Sequence, residues 1–184
     1  MWCEVARYGS SKTVLPRDRL SRRWPYVDKR LIIVAVGLIL VVAVPLTVYY
    51  AMSYNSVNGS TVQITSVRRS VSHSFFSNSI NSVTYYVEAH VWSYATSLDT
   101  RVSAPTFSLL VDSYLVNGDQ GGSGTFKPNG YLIYSLTFTT TDSIVANAVG
   151  QASSNSLILG MDALISAGIY QTQVTVSNAA TETF

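Results

Sequence analysis

Residues Leu31 to Tyr50, LIIVAVGLILVVAVPLTVYY, run for 20 positions without a charged side chain. At ~1.5 Å rise per residue a helix of that length covers ~30 Å, the thickness of a bilayer's hydrocarbon core. The competing reading is a core helix of a soluble protein, but such helices seldom extend this far without a charge. The run therefore predicts a transmembrane helix over residues 31–52. It divides the chain into a short basic head, residues 1–30, and a long body rich in Ser, Thr and Tyr.

The head holds eight basic residues (Arg7, Lys12, Arg17, Arg19, Arg22, Arg23, Lys29, Arg30) against the acids Glu4, Asp18 and Asp28. After Tyr50 the balance reverses, with four basic residues against seven acids. Orientation follows the Lys and Arg that flank a span, so the head is expected in the cytoplasm and the body outside. Trp24 and Tyr26 before the run, and Tyr49, Tyr50 and Tyr54 at and after its end, suit the two headgroup regions. Pro45 and Gly37 are ordinary residues of membrane helices.

A cleaved secretory signal is the alternative to a retained signal-anchor. The run exceeds the usual h-region, and Tyr49 stands two before Ala51, where a small-x-small site would need a small residue. A pilin-type cut near Lys29-Arg30 lacks the small residue that would follow it.

The only cysteine, Cys3, lies in the head, so the body has no disulfide framework and must stand on its core. About 125 residues follow the span, enough for a full core. Asn58-Gly59-Ser60 fits a glycosylation acceptor, which is compatible with an external location. The head lacks apolar periodicity and is expected to be disordered or to lie on the inner leaflet. A nucleic-acid partner is not expected, because positive flanks of an anchor already account for the basic residues.

Residues 53–59 read as a juxtamembrane linker, residues 60–178 as the external domain and residues 179–184 as a flexible tail. Within the domain the pattern changes to period two. Val62, Ile64 and Ser66 alternate with Gln63 and Thr65 in a first strand near Ser60–Arg68, and Val71–Asn81 reads as a loop or a poorly formed edge. Val83, Tyr85, Val87, Ala89 and Val91 alternate with Thr84, Tyr86, Glu88, His90 and Trp92, which places the first set inward. Thr106–Val116 reads as one strand with Phe107, Leu109 and Val111 on a common face and Pro105 at its start or on an edge. Asn117-Gly118 opens a glycine-rich connection, a short strand runs to Phe126, and Lys127-Pro128-Asn129-Gly130 turns into a strand at Tyr131–Thr140. Thr141-Asp142 caps a short helix ending at Gly150, and strands at Ser156–Ala167 and Ile169–Asn178 meet tightly at Gly168. Such a series predicts an all-β domain: a β-sandwich of immunoglobulin or fibronectin III type, with about seven strands and one short helix.

Candidate chemistry is sparse. Glu88 and His90 share a strand face, with His73 as a third metal candidate, but no cluster of Cys, His and carboxylate completes a ligand set. A solvent-facing polar pair is the simpler reading. No G-x-S-x-G elbow and no histidine–acid motif accompany the serines. Gly118–Gly124 lacks the Lys-Ser/Thr of a phosphate loop and joins two strands. No catalytic residue, no metal site and no cofactor is expected. Tyr85, Tyr86, Tyr94, Tyr114, Tyr131, Tyr134 and Tyr170 suit either a binding face or ordinary pleated-sheet cover.

The order of parts from Thr84 to Asn178 resembles the water stress and hypersensitive response (WHy) domain of type-2 late embryogenesis abundant (LEA) proteins. The long strand Tyr85–Trp92 is followed by APTFSLLVDSYLVNGDQGGSGTF and KPNGYLIYSLTF, similar to that family's strand, Asn-Gly turn and hairpin. DSIVANAV and the pair SLILGMDALI and GIYQTQVTVS follow in the family's order. Ala95-Thr96-Ser97 stands where the family commonly carries Asn-Pro-Asn. The resemblance implies a membrane-anchored, non-enzymatic protein of the cell envelope with a role in stress protection, contacting lipids or other macromolecules. It supplies no catalytic residue. The expected partners are the bilayer, through the helix, and a protein or lipid at the outer domain. The other expectation for such a layout is a structural subunit, pilin-like, surface-layer or accessory to a membrane complex, held in a homo- or hetero-oligomer.

Overall fold

A computed structural model describes residues 28–75 and 79–184. The expected head falls almost wholly outside the described residues. Contacts divide the chain into two units, Met1–Val41 and Val42–Phe184.

Helix α1 spans Lys29–Asn58. Asp28 starts it, its carboxylate accepting the Arg30 N–H at 3.0 Å. The helix carries a charge-free apolar run and is long and apolar enough to cross a membrane. Pro45 removes one helical N–H, yet the helix continues through it. It also continues past residue 52. The expected linker at 53–59 is a correction: residues up to Asn58 stay helical because Ser53, Ser56 and Val57 are buried against the β domain. Ser53 Oγ donates to the Tyr49 carbonyl at 2.8 Å, and Ser56 Oγ accepts the Ser97 N–H at 3.1 Å.

The second unit is an all-β domain of two antiparallel sheets. The first sheet has the order β1-β2-β6, from Ser60–His73, Ile80–Ser93 and Tyr131–Thr140. The second has the order β4-β3-β7-β8, from Tyr114–Gln120, Thr100–Val111, Ser154–Ala167 and Tyr170–Thr183. The short β5, Gly124–Phe126, pairs with the first half of β3. The inward faces of both sheets meet in one core, which includes Tyr85, Phe107, Phe138, Leu157, Leu159, Met161 and Ile165. The alternation of β2 holds as expected: Val83, Tyr85, Val87, Ala89 and Val91 are all buried. Helix α2, Ser143–Gln151, is capped by Asp142, whose side chain accepts the N–H groups of Ile144 and Val145.

Five expectations along the strands are corrected. β1 runs on to His73 instead of stopping near Arg68, because it stays paired with β2 along its whole length. Thr106–Val116 is not one strand. It turns at Asp112-Ser113, both with positive φ (48° and 74°), and β4 returns along β3 with Tyr114 opposite Val111. Such two-residue turns match the twist of the flanking strands, and Asp112 is held there by accepting the Ser156 N–H at 2.7 Å. Asn117-Gly118, expected as the turn, instead lies within β4, after a bulge that points Val116 into the core. Pro105 is neither at the start of β3 nor on an edge. It sits mid-strand between paired neighbours, where a bulge between Ser103 and Thr106 removes the need for its missing N–H. Residues 179–183, expected as a tail, extend β8 opposite Ser154–Ile158.

Candidate binding face

The outward face of the β1-β2-β6 sheet gathers the side chains that sequence reasoning singled out. Strand register lines them up in rows: Thr61, Trp92, Tyr131; Gln63, His90, Ile133; Ser66, Glu88, Ser135; Arg68, Tyr86, Thr137. Period-two alternation puts each of these opposite the buried set of its strand. The outward face of the other sheet differs. Its rows hold mostly short or amide side chains, Ser103, Thr106, Ser108, Ser166, Gln171, Gln173 and Thr175, together with Arg101, Asp162, Ile158 and Leu164, and no aromatic ring.

Two shallow grooves cross the aromatic face. One, of about 690 Å³, is lined by Ser66, Arg68, Tyr86, Glu88, Ser135 and Thr137 among others. The second, of about 440 Å³, is lined by Gln63, His90, Trp92, Tyr94, Asn129 and Tyr131 among others. His90, in the second groove, neighbours Glu88 of the first along β2. Its ring stacks on Tyr131 at 4.4 Å and 16°, and its Nε2 lies 3.7 Å from Glu88 Oε1. Tyr86, Tyr131 and Ile133 are each more than half exposed, so rings and an aliphatic chain stand ready to cover an apolar ligand surface while Arg68, Glu88 and Gln63 supply polar contacts.

The structure brings Glu88 and His90 together, as expected. His73 does not join them: it ends β1, opposite Ile80, at the other end of the sheet. No group of three His, Cys, Asp or Glu side chains able to hold a metal ion is found among the described residues.

A second polar cluster, which sequence reasoning missed, has another character. Arg69 Nη1 donates to the carbonyls of Val149 (2.9 Å) and Ala152 (2.8 Å), at the end of α2, and to Asn155 Oδ1 (3.0 Å). Tyr85 Oη donates to the same Asn155 oxygen at 3.2 Å, and Asn155 Nδ2 donates to Asp112 Oδ2 at 2.6 Å. Burial pushes the Tyr85 phenol up to about 12; the neighbouring Arg69 offsets part of that effect, and Asp112 adds to it. The guanidinium also lies 4.3 Å from the Phe184 ring centroid. Each of these side chains is bonded to another residue of the cluster, and Asn155 is sealed from solvent. The cluster ties β1, β2, α2, β7 and the β3–β4 turn together. Only the Asp112-Ser113 turn gave a local signal, and its partners are 43 and more residues away.

No family model matches the chain. A search of curated proteins likewise gives no match. Among solved structures, a protein from Archaeoglobus fulgidus is similar over 66% of this chain and 98% of its own, with 13% identity and a TM-score of 0.38.

Proposed function

We propose that this chain is a single-pass, membrane-anchored envelope protein. In this reading its head lies in the cytoplasm, and an immunoglobulin- or fibronectin-like sandwich of the type-2 LEA (WHy) kind is displayed outside. The sandwich acts by binding, not by catalysis. The observation that carries this reading is the contrast between the two outer faces. Aromatic side chains line the outward rows of the β1-β2-β6 sheet, while those of the other sheet are mostly small and polar, with Arg101, Asp162, Ile158 and Leu164 spread among them. A stabilised scaffold does not need that asymmetry, but recognition of another macromolecule uses Tyr, Trp and Arg on one face. The polarity of the anchor rests on the excess of Lys and Arg before residue 31.

Two experiments test the two halves. Protease added to sealed, right-side-out vesicles should digest the C-terminal domain; protection of that domain overturns the orientation. For the protective role, the full chain in nanodiscs is dried with lactate dehydrogenase and the recovered activity measured. The protein should raise recovery, and Trp92→Ala with Tyr131→Ala should remove most of that gain at unchanged melting temperature. Equal recovery with and without the protein overturns it.

The second reading, a structural subunit, draws on β8. This edge strand alternates half-buried and exposed residues over its whole length and buries none fully. Native mass in mild detergent distinguishes the two: discrete oligomers favour the subunit, a monomer the binding protein.

A further inference from the structure

We propose that the tip of the β7–β8 hairpin, Gly168-Ile169-Tyr170, is a second membrane contact that inserts into the headgroup layer beside α1. The inference rests on the anchor reading above and extends it to the orientation of the domain.

The apolar run ends at Tyr50. If Leu31–Tyr50 fills the hydrocarbon core, Tyr49 lies at its boundary and Ser53 only ~5 Å beyond it, within a headgroup layer of ~5–7 Å on each side. The hairpin tip touches these two residues. A methyl group placed on Gly168 would stand 2.5 Å from Ser53 Oγ and 2.8 Å from Tyr49 Oη, so the turn is pressed against that level of the helix. The Ile169 N–H donates to Ser53 Oγ at 3.4 Å. Tyr170 packs on Tyr50 and Tyr54, with ring centroids 5.8 and 5.1 Å apart.

The chemistry suits that depth. Ile169 is 60% exposed at the tip, a large aliphatic side chain with no protein to cover it. No charged residue occurs from Ala163 to Thr181, so the tip of the hairpin and the strand ends beside it can approach lipid without burying a charge of their own; Asp162 and Glu182 lie farther along β7 and β8. Tyr49, Tyr50, Tyr54 and Tyr170 are amphipathic rings of the kind that settle at the headgroup level. The turn N–H that lipid could not satisfy is met by Ser53. A hairpin beside the anchor restrains the domain against swivelling about α1, which would hold the aromatic face at a constant angle to the membrane.

The test uses the full chain in nanodiscs, with Cys3→Ser as background and single spin-labelled variants Ile169→Cys, Leu40→Cys and Ile144→Cys. Collisional accessibility to oxygen and to a water-soluble nickel chelate gives the depth of each label. Ile169 should favour oxygen several-fold over nickel relative to Ile144, an exposed position on α2, and Leu40 should lie deeper still. Leu40 in lipid with Ile169 as water-exposed as Ile144 overturns this inference while the anchor stands. Leu40 in water overturns the anchor and the inference with it. Concentration-dependent spin–spin broadening at Ile169 would show a second copy of the chain on the tip and also overturns it.

Discussion

Asn178 Oδ1 accepts the backbone N–H of Ile64 at 3.1 Å, bridging the outer strands of the two sheets. β1 and β8 are the edge strands on one side of the domain. The other side is joined in the same manner: Asp119 of β4 accepts the Thr137 N–H of β6 at 2.8 Å. An edge N–H left open is a template for another chain, and a side-chain acceptor from the opposing sheet removes it without continuing the ladder.

These bridges predict that Asn178→Ala, which removes a partly buried hydrogen bond, and Asp119→Ala, which removes an exposed one to a carboxylate, each cost ~1 kcal/mol in chemical denaturation. Asp119→Asn keeps an acceptor and should lose less than half as much. A light-scattering rise on heating should follow both alanine variants. Unchanged midpoints in both would mean the seams are held by apolar packing alone.

What the sequence made legible follows from range. Val83 to Val91 alternate so regularly that their inward set could be read directly, and a charge-free run of 20 residues announces α1. Asp142 capped α2 as expected, since its partners are two and three residues away. The β3–β4 turn was misread because the strongest local turn signal, Asn117-Gly118, was outweighed by distant bonds from Asp112 to Asn155 and Ser156. The extension of α1 beyond residue 52 likewise depends on burial of Ser53, Ser56 and Val57 by a domain that folds later in the chain. Of the candidate face, Glu88, His90, Trp92 and Tyr86 were legible as the polar half of one strand; that β6 aligns Tyr131 beside them is a matter of register and was not.

Asn155 is the residue on which the buried cluster converges, so its removal should exceed the cost of any one bond. Asn155→Ala leaves the Tyr85 hydroxyl without its acceptor and Arg69 with one fewer, and should destabilise by ~2–4 kcal/mol. Arg69→Lys loses the planar guanidinium that reaches the end of α2 and lies over the Phe184 ring, and should cost ~1–3 kcal/mol. The double variant should cost less than the sum, as groups sharing one network do. Strict additivity would show that the two act separately.

Tyr85 gives the domain an alkaline limit. Its phenol is raised from 10 to about 12 by burial. Below pH 10 both folded and unfolded forms hold the proton, and the folded state keeps its full stability. Between about pH 10 and 12 the unfolded chain ionises first, so stability falls by roughly 2–3 kcal/mol as the pH rises across that window. Denaturation midpoints measured from pH 8 to 12 should drop, and Tyr85→Phe should flatten the drop while costing ~1 kcal/mol at pH 8 through its lost hydrogen bond to Asn155. Equal slopes for the two proteins would assign the alkaline transition to other groups.

Gly168 is where a side chain should be least tolerated. It takes φ of +54° at the first position of a two-residue turn between Ala167 and Tyr170, the conformation that a Cβ penalises by ~1–2 kcal/mol. The same Cβ would collide with Ser53 Oγ and Tyr49 Oη. Gly168→Ala should therefore lower stability by ~2–4 kcal/mol, adding steric displacement to the backbone strain. Ser53→Ala in the same chain should recover only part of the steric cost, because the Tyr49 ring still stands against the turn, and should leave the ~1–2 kcal/mol of backbone strain untouched. The measurement is the denaturant midpoint of the nanodisc-bound chain, followed by tryptophan emission, because Trp92 is the only tryptophan beyond the apolar run. A loss of only ~1–2 kcal/mol in Gly168→Ala, unchanged by Ser53→Ala, would mean that backbone strain alone acts and that the turn lies free of Tyr49 and Ser53.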